Sequence, residues 1–343
     1  MSTLISRALT ITKLGDPRKV LELQKTHVST KLADKEVLIK WLASPINPLD
    51  INKIEGAYPG SESPKIGGSE AVGVVEKAGS SSIFQPGDSV IPIGMGGDLW
   101  SEYDVVEEEN LIKIRSDIDL ISAATLLINP PTAYVMLKHF VELNPGDFII
   151  QNSANSGVGR AYIYFLAWGY KSINLIRDRP NIDELKEELK NIGANFVFTE
   201  EEFRKENRKI SSEYDIKLAL NGVGGRSALS ISAVLAPGGT IVTYGGMSKK
   251  PAEIPTSAFV FKGIRAFGVA VGNWMCMEEN RPLVDQMFEE LQDLIVQGKL
   301  HPPPVEMHEL DDFKEAINRT LEGKNRKQVL LIHPDYKKFM AKL

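Results

Sequence analysis

A nine-residue stretch, Gln151-Asn152-Ser153-Ala154-Asn155-Ser156-Gly157-Val158-Gly159, has the residue types needed to hold a phosphate with backbone groups. The apolar run Phe148-Ile149-Ile150 leads into it, and a helical pattern leaves it. Small residues at such a strand-to-helix turn let N–H groups and a helix N-terminus face a pyrophosphate. Twenty positions after Gly157, behind a second apolar run (Ile173-Asn174-Leu175-Ile176), stands Arg177-Asp178-Arg179-Pro180. NAD sites usually place a carboxylate there to accept from the adenosine ribose. Two guanidinium forks instead match a 2′-phosphate in charge and geometry, which points to NADPH.

The glycines alone are not selective. The strict G-x-G-x-x-G/A pattern fails at its last position, which is Tyr162, and such a fragment fits an ordinary strand–helix turn equally well. Arg177 and Arg179 also fit a solvated surface pair. Strand before, helix after and basic residues at this separation favour the cradle.

The elements around this turn change character along the chain. Up to about residue 125, short strands such as Glu36–Trp41, Gly73–Lys77 and Asp88–Ile93 are divided by Gly, Pro and Ser, which suggests a partly open β-barrel or sandwich. Two helices with a break at Asn129-Pro130-Pro131 follow. Next come strand Phe148–Gln151, helix Gly157–Gly169, strand Ile173–Arg177 and a helix opened by Pro180, with Ile182, Leu185, Leu189 and Ile192 on one face and Gly193 as its stop. Strands at Phe196–Phe198, Lys217–Leu220 and Thr240–Tyr244 complete an alternation that predicts a doubly wound parallel sheet. Beyond Gly272, an apolar stripe of Leu283, Val284, Met287, Leu291, Leu294 and Ile295 predicts a helix ending at Gly298. A Pro302-Pro303-Pro304 corner, a helix from Asp311 and a last strand, Gln328–Ile332, are expected to return to the N-terminal domain. Phe259, Phe261 and Phe267 are of a type more often core than ligand-binding, and no role is assigned to them.

At 343 residues the chain exceeds the roughly 250–300 at which single cores stop growing, so two domains are expected. Hydrophobic content of 43% and charged content of 25% are those of a soluble globular protein. With 40 basic and 45 acidic side chains the net charge is −5, which does not suggest nucleic-acid binding. No apolar run reaches the roughly 18 residues of a membrane span. The one cysteine, Cys276, excludes an intrachain disulfide or a multi-cysteine zinc site, and the histidines at 27, 139, 301, 308 and 333 are scattered and read as surface or capping residues. Met1 to Gly15 is faintly transit-like, with Arg7, Lys13 and no acid.

Asn47-Pro48-Leu49-Asp50-Ile51-Asn52, Gly56-Ala57-Tyr58-Pro59, Asn129-Pro130-Pro131-Thr132-Ala133-Tyr134, Arg177-Asp178-Arg179-Pro180, Asn221-Gly222-Val223-Gly224-Gly225, Tyr244-Gly245-Gly246-Met247 and Lys327-Gln328 run through nearly the whole chain. Together they resemble the mitochondrial trans-2-enoyl-thioester reductases, a zinc-free branch of the medium-chain dehydrogenase/reductase superfamily. The fold implied is α/β: a GroES-like β-rich catalytic domain (1–124 and 273–343) plus a doubly wound parallel-sheet, or Rossmann, NADPH-binding domain (125–272). Where zinc relatives carry a Cys and a Gly-His-Glu segment, this chain reads Ser44-Pro45-Ile46-Asn47 and Gly68-Ser69-Glu70.

The resemblance implies NADPH-dependent reduction of the C2–C3 double bond of an enoyl thioester, carried by acyl-carrier protein or CoA. It assigns catalysis to Tyr58, either as proton donor or as hydrogen-bond donor to the thioester oxygen; a loop tyrosine packed on a neighbour is the bland alternative. It assigns cofactor contacts to Asn129, Asn155, Ser156, Gly157, Val158, Arg177, Asp178, Arg179, Tyr244, Gly245, Gly246, Met247, Val269, Ala270, Val271 and Lys327. Lys327 reads almost equally well as a solvated lysine, and Tyr244 to Met247 as a plain turn. One departure is Gly268-Val269-Ala270, where the family shows Gly-Phe-Trp; Trp274 is either the matching aromatic or core filler. Lys249-Lys250, Lys262 and Arg265 are candidates for a phosphopantetheine patch. A homodimer and a mitochondrial location follow by the same resemblance, with the cytoplasm as alternative. The competing functions are a zinc-free quinone oxidoreductase and a catalytically silent NADPH-binding paralogue.

Overall fold

The computed structural model describes residues 3–57, 66–94, 98–323 and 326–340. The chain opens with β1 (Thr3–Ile11), α1 (Pro17–Val20), β2 (Leu21–Ser29), β3 (Glu36–Pro45), α2 (Pro48–Glu55), β4 (Val72–Ala78), β5 (Ser89–Pro92), β6 (Tyr103–Glu107), β7 (Leu111–Ile114) and α3 (Leu120–Ala124). The middle holds α4 (Asn129–His139), β8 (Phe148–Gln151), α5 (Gly157–Phe165), β9 (Lys171–Ile176), α6 (Ile182–Asn191), β10 (Phe196–Thr199), α7 (Glu200–Glu213), β11 (Ile216–Asn221), α8 (Gly225–Ala233), β12 (Thr240–Thr243), α9 (Thr256–Lys262) and β13 (Arg265–Gly268). It closes with α10 (Val271–Met275), α11 (Arg281–Val296), β14 (Val305–Glu309), α12 (Phe313–Glu322), β15 (Lys327–Leu331) and α13 (Tyr336–Met340). Two compact units result: Met1–Ile128 with Met275–Gly298 and Pro302–Leu343, and Asn129–Trp274 with Lys299–His301.

The first unit is β-rich. Its seven-stranded sheet runs β14-β15-β3-β4-β5-β7, with β6 also on β3, and β1 and β2 form a separate antiparallel ribbon. Val37, Ile39 and Trp41 of β3 are fully buried together with Trp100. β15 returns the C-terminal segment to the N-terminal sheet, pairing Val329 opposite Pro45. α2 starts where its sequence says it should: Asn47 and Asp50 form a capping box, Pro48 opens the first turn, and Gly56 closes it at φ 74°.

The second unit is a six-stranded parallel sheet in the order β10-β9-β8-β11-β12-β13. That is the 3-2-1-4-5-6 succession of a doubly wound sheet. Ile149, Ile150, Ile173, Leu175, Leu218, Leu220, Ile241 and Val242 are all at or near zero exposure, as strands covered on both faces require.

Several boundaries differ from the sequence expectation. Pro180 does not open α6; Asn181 caps it at φ 61°, a left-handed conformation that asparagine tolerates, and only Leu185 and Leu189 are buried. α5 ends at Phe165 and tightens through a 3₁₀ turn, Leu166–Trp168, before Gly169. In α11, Leu283 is 39% exposed and Phe288 is buried instead, because Val284, Met287, Phe288 and Leu291 share one face at 100° per residue. α7 adds a helix that the sequence expectation lacks, opened by a reciprocal capping box of Thr199 and Glu202. Phe259, Phe261 and Phe267 are exposed, the last of them on β13, which ends the strand order.

Candidate functional site

The phosphate cradle forms where β8 gives way to α5. Ser153 takes φ 57°, the Ala154 N–H donates to the Leu175 carbonyl of neighbouring β9, and Ser156 accepts from Gly159 N–H as the helix cap. The first helical N–H groups have no partner one turn earlier, so they suit an anion. Gly159 is required by close approach: a Cβ there would lie 2.5 Å from the Ala154 carbonyl oxygen. A Cβ on Gly157 would lie 2.7 Å from Asn129 Cγ, so the chain meets the Asn129 amide at the mouth of the turn. Asn129 Nδ2 is buried with no partner. An orphaned donor over a glycine cradle fits a dinucleotide that supplies the missing acceptor. Asn155 is half-buried and Val158 buried.

A ladder of side-chain amides fixes the C-terminal ends of β8, β11 and β12. Asn152 Nδ2 donates to Asn221 Oδ1 (2.8 Å) and to Ser227 Oγ, while its Oδ1 accepts from Gly222 N–H. Asn221 Nδ2 donates to Thr243 Oγ1, and its Oδ1 accepts from Val223 and Gly224 N–H. Tyr244 follows directly, its N–H on the Asn221 carbonyl. The Tyr244 hydroxyl is buried beside Gly222 and near Ser156, without a hydrogen bond of good geometry. Burial pushes this phenol up to about 12, against a smaller pull from Ser156, so it stays protonated as a donor. Gly245 and Gly246 continue the turn to Met247, which is 60% exposed while its N–H donates to Gly222. The next strand ends similarly: Val269 N–H donates to the Thr243 carbonyl, Ala270 is half-buried and Val271 buried.

Arg177 and Asp178 are exposed at the end of β9, and Arg179 is half-buried. Arg179 Nε donates to the Arg177 carbonyl (3.3 Å). Burial and the like charge of Arg177 hold the Arg179 guanidinium below the usual arginine range. Two cations crowded at a strand's C-terminal end suit a dianionic phosphate.

In the first unit, Lys327 is not a solvated lysine. Its ammonium donates to Asn47 Oδ1, Asn47 Nδ2 donates to Glu70 Oε2 (2.9 Å), and Asn47 N–H donates to Asp50 Oδ2 (2.7 Å). Glu70 and Asp50 are buried, and Glu70 Oε1 takes the Ile128 N–H. Burial lowers Lys327 and raises Glu70 and Asp50, with the opposite charges pulling each back. Among the described residues no group of three or more His, Cys, Asp or Glu side chains has the geometry to hold a metal. Tyr58 lies outside the described residues.

Sequence reasoning missed the amide ladder and the Asn47–Glu70–Lys327 chain. Their only signal was polar residues at strand ends that periodicity marks as buried. Of the histidines, His27, His139 and His301 are exposed as expected, whereas His308 and His333 are half-buried: His333 Nε2 meets the Tyr103 hydroxyl at 3.2 Å, and His308 Nε2 meets Gln328 Oε1 at 2.6 Å. Trp274 is half-buried, its ring 4.9 Å from that of His139.

Residues 33–116 match the alcohol dehydrogenase GroES-like domain family, and residues 181–289 match the zinc-binding dehydrogenase family. A mitochondrial enoyl-[acyl-carrier-protein] reductase of Caenorhabditis elegans is 52% identical over 96% of this chain and 97% of its own. The Homo sapiens protein of the same name is 42% identical over 92% of this chain and 86% of its own. Among solved structures, the Etr1p/NADP/crotonyl-CoA complex superposes with TM-score 0.87 at 32% identity, covering 96% of this chain and 100% of that one. A mitochondrial 2-enoyl thioester reductase Etr1p/Etr2p heterodimer from Candida tropicalis gives the same values. With cradle, paired arginines and kinship along nearly the whole sequence in place, the chain belongs to the family of the mitochondrial enoyl-[acyl-carrier-protein] reductases.

Proposed function

We infer that the protein reduces the C2–C3 double bond of trans-2-enoyl thioesters with NADPH, serving fatty acid synthesis. The observation that carries this is the Asn129 amide left unpartnered over the Gly157 cradle, in a chain whose relative was crystallised with NADP and crotonyl-CoA. Hydride chemistry at C3 would come from NADPH when bound. The chain's own residues hold the dinucleotide: Asn129, Asn155, Ser156, Gly157 and Val158 at the pyrophosphate turn, Arg177, Asp178 and Arg179 at the 2′-phosphate, and Tyr244, Gly245, Gly246, Met247, Val269, Ala270 and Val271 along the strand ends. Lys327 adds an ammonium to the cofactor contacts. Tyr58 acts on the substrate, either stabilising the enolate oxygen or delivering the proton to C2. In domain terms, 1–124 with 273–343 is catalytic and 125–272 binds NADPH.

Lys262 is excluded from a phosphopantetheine patch, because its ammonium caps α8 through the Ala233 and Leu235 carbonyls. The handle on the acyl group is acyl-carrier protein or CoA, as the relatives' names and ligands support. Those names also support action in the mitochondrion. No helix of the described residues is long and apolar enough to cross a membrane. A second copy of the chain covers the sheet end. β13 terminates the six-strand order with all four residues exposed, beside Phe259, Val260 and an 84% exposed Phe261. A strand edge flanked by exposed aromatics suits self-pairing, and a relative assembles as a heterodimer.

The test is NADPH oxidation against enoyl thioesters of increasing chain length, beside a quinone. Turnover on thioesters is expected; quinone-only turnover indicates an oxidoreductase of the quinone class, and NADPH binding without turnover indicates a silent paralogue.

A further inference from the structure

Arg160 is the fourth residue of α5 and is only 4% exposed. A guanidinium in the first turn of a helix lies at the positive end of its dipole, where cations are disfavoured. Burial also strips its water. The compensation is thin. Nη1 pairs with Glu188 of α6 at 3.0 Å, a carboxylate whose side chain is 43% exposed. Nε donates to the Asn155 carbonyl at 3.2 Å, and Nη2 is buried without a partner. A buried cation with an unsatisfied donor at a positive helix end is unfavourable alone, and becomes favourable once a polyanion occupies the other side of the turn.

We propose that Arg160 is a positioning residue for the dinucleotide. Through Nε it fixes the Asn155 carbonyl and with it the turn that faces the pyrophosphate. Its fixed charge, behind that turn, strengthens the field the helix already provides. This rests on the NADPH-binding reading and adds a division of labour to it. Arg177 and Arg179 select for the extra phosphate, whereas Arg160 serves the pyrophosphate common to NADPH and NADH.

The test measures dissociation constants for both dinucleotides by cofactor fluorescence, without acyl substrate, alongside the thermal midpoint of the apo protein. Arg160→Met is expected to weaken NADPH and NADH by a similar factor, about tenfold or more, with an apo midpoint unchanged or higher. Arg160→Lys recovers part of the affinity. Glu188→Gln leaves the Asn155 bond intact, so affinity stays within about twofold. Unchanged affinities in Arg160→Met overturn the proposal, as does a loss confined to NADPH or a fall in apo midpoint with affinity intact. If the unaltered protein binds neither dinucleotide, the cofactor reading fails first.

Discussion

The Lys327 ammonium donates its hydrogen bond to the side-chain carbonyl of Asn47, 280 residues earlier in the chain. Asn47 also caps α2 and donates to Glu70, so one amide joins the last strand, the first long helix and a buried carboxylate. Lys327 thereby balances Glu70 and Asp50, neither of which reaches solvent.

Removing that cation leaves two carboxylates buried without it. Lys327→Met is expected to destabilise the protein by about 3–5 kcal/mol in denaturant titration, and adding Glu70→Gln restores part of the loss. Equal stability of Lys327→Met and the parent would show the cluster to be energetically idle.

Arg177 and Arg179 are expected to set cofactor preference. Replacing both by alanine raises the NADPH KM by about 10–100-fold and changes that for NADH by about twofold or less, since only NADPH carries the extra phosphate. Steady-state kinetics with each dinucleotide checks it; equal effects on both remove the phosphate role.

Asn152 holds three partners, Asn221, Ser227 and the Gly222 N–H, with no exposure of its own. Asn152→Ala removes the acceptor of the Gly222 N–H and a donor to Asn221 and Ser227, so an unfolding free energy lower by about 2–4 kcal/mol is expected, together with weaker NADPH binding. Calorimetry and cofactor titration read the two effects.

Burial pushes the Asp104 carboxyl up to about 6, with the Val105 N–H opposing and the charge of Asp98 adding to the rise. Through the window from about pH 4 to 6 the folded chain keeps a proton that the unfolded chain has released, so stability falls as pH rises and the full penalty stands at neutrality. Asp104→Asn is therefore expected to be about 2–3 kcal/mol more stable than the parent near neutral pH, with little gain near pH 4. Denaturant titrations at the two pH values decide it.

Phe261, 84% exposed beside β13, is expected at the interface between copies. Phe261→Asp should shift sedimentation from dimer toward monomer by introducing a charge where apolar area is buried. A monomeric parent protein would refute the pairing.

Local chemistry was readable in advance: the small-residue turn at Asn155-Ser156-Gly157, the Arg177-Asp178-Arg179 run and the alternation of strands and helices are contiguous signals. Contacts between distant residues were not. Asn152 meets Asn221 across 69 positions, and Lys327 meets Asn47 across 280, so neither pairing leaves a local period. Arg160 was invisible for another reason, because a lone arginine in an amphipathic helix reads as solvent-facing until its neighbours are known. The exposure of Phe261 was not legible either, because an aromatic residue declares apolarity, not which surface buries it.

Isotope placement tests the central claim most directly. The protein is supplied with crotonyl-CoA and NADPH deuterated at the transferable position of the nicotinamide, and the saturated thioester is analysed for label. Deuterium at C3, a solvent-derived hydrogen at C2 and one NADPH consumed per product are expected. An unreduced crotonyl thioester, or label at C2, would contradict it.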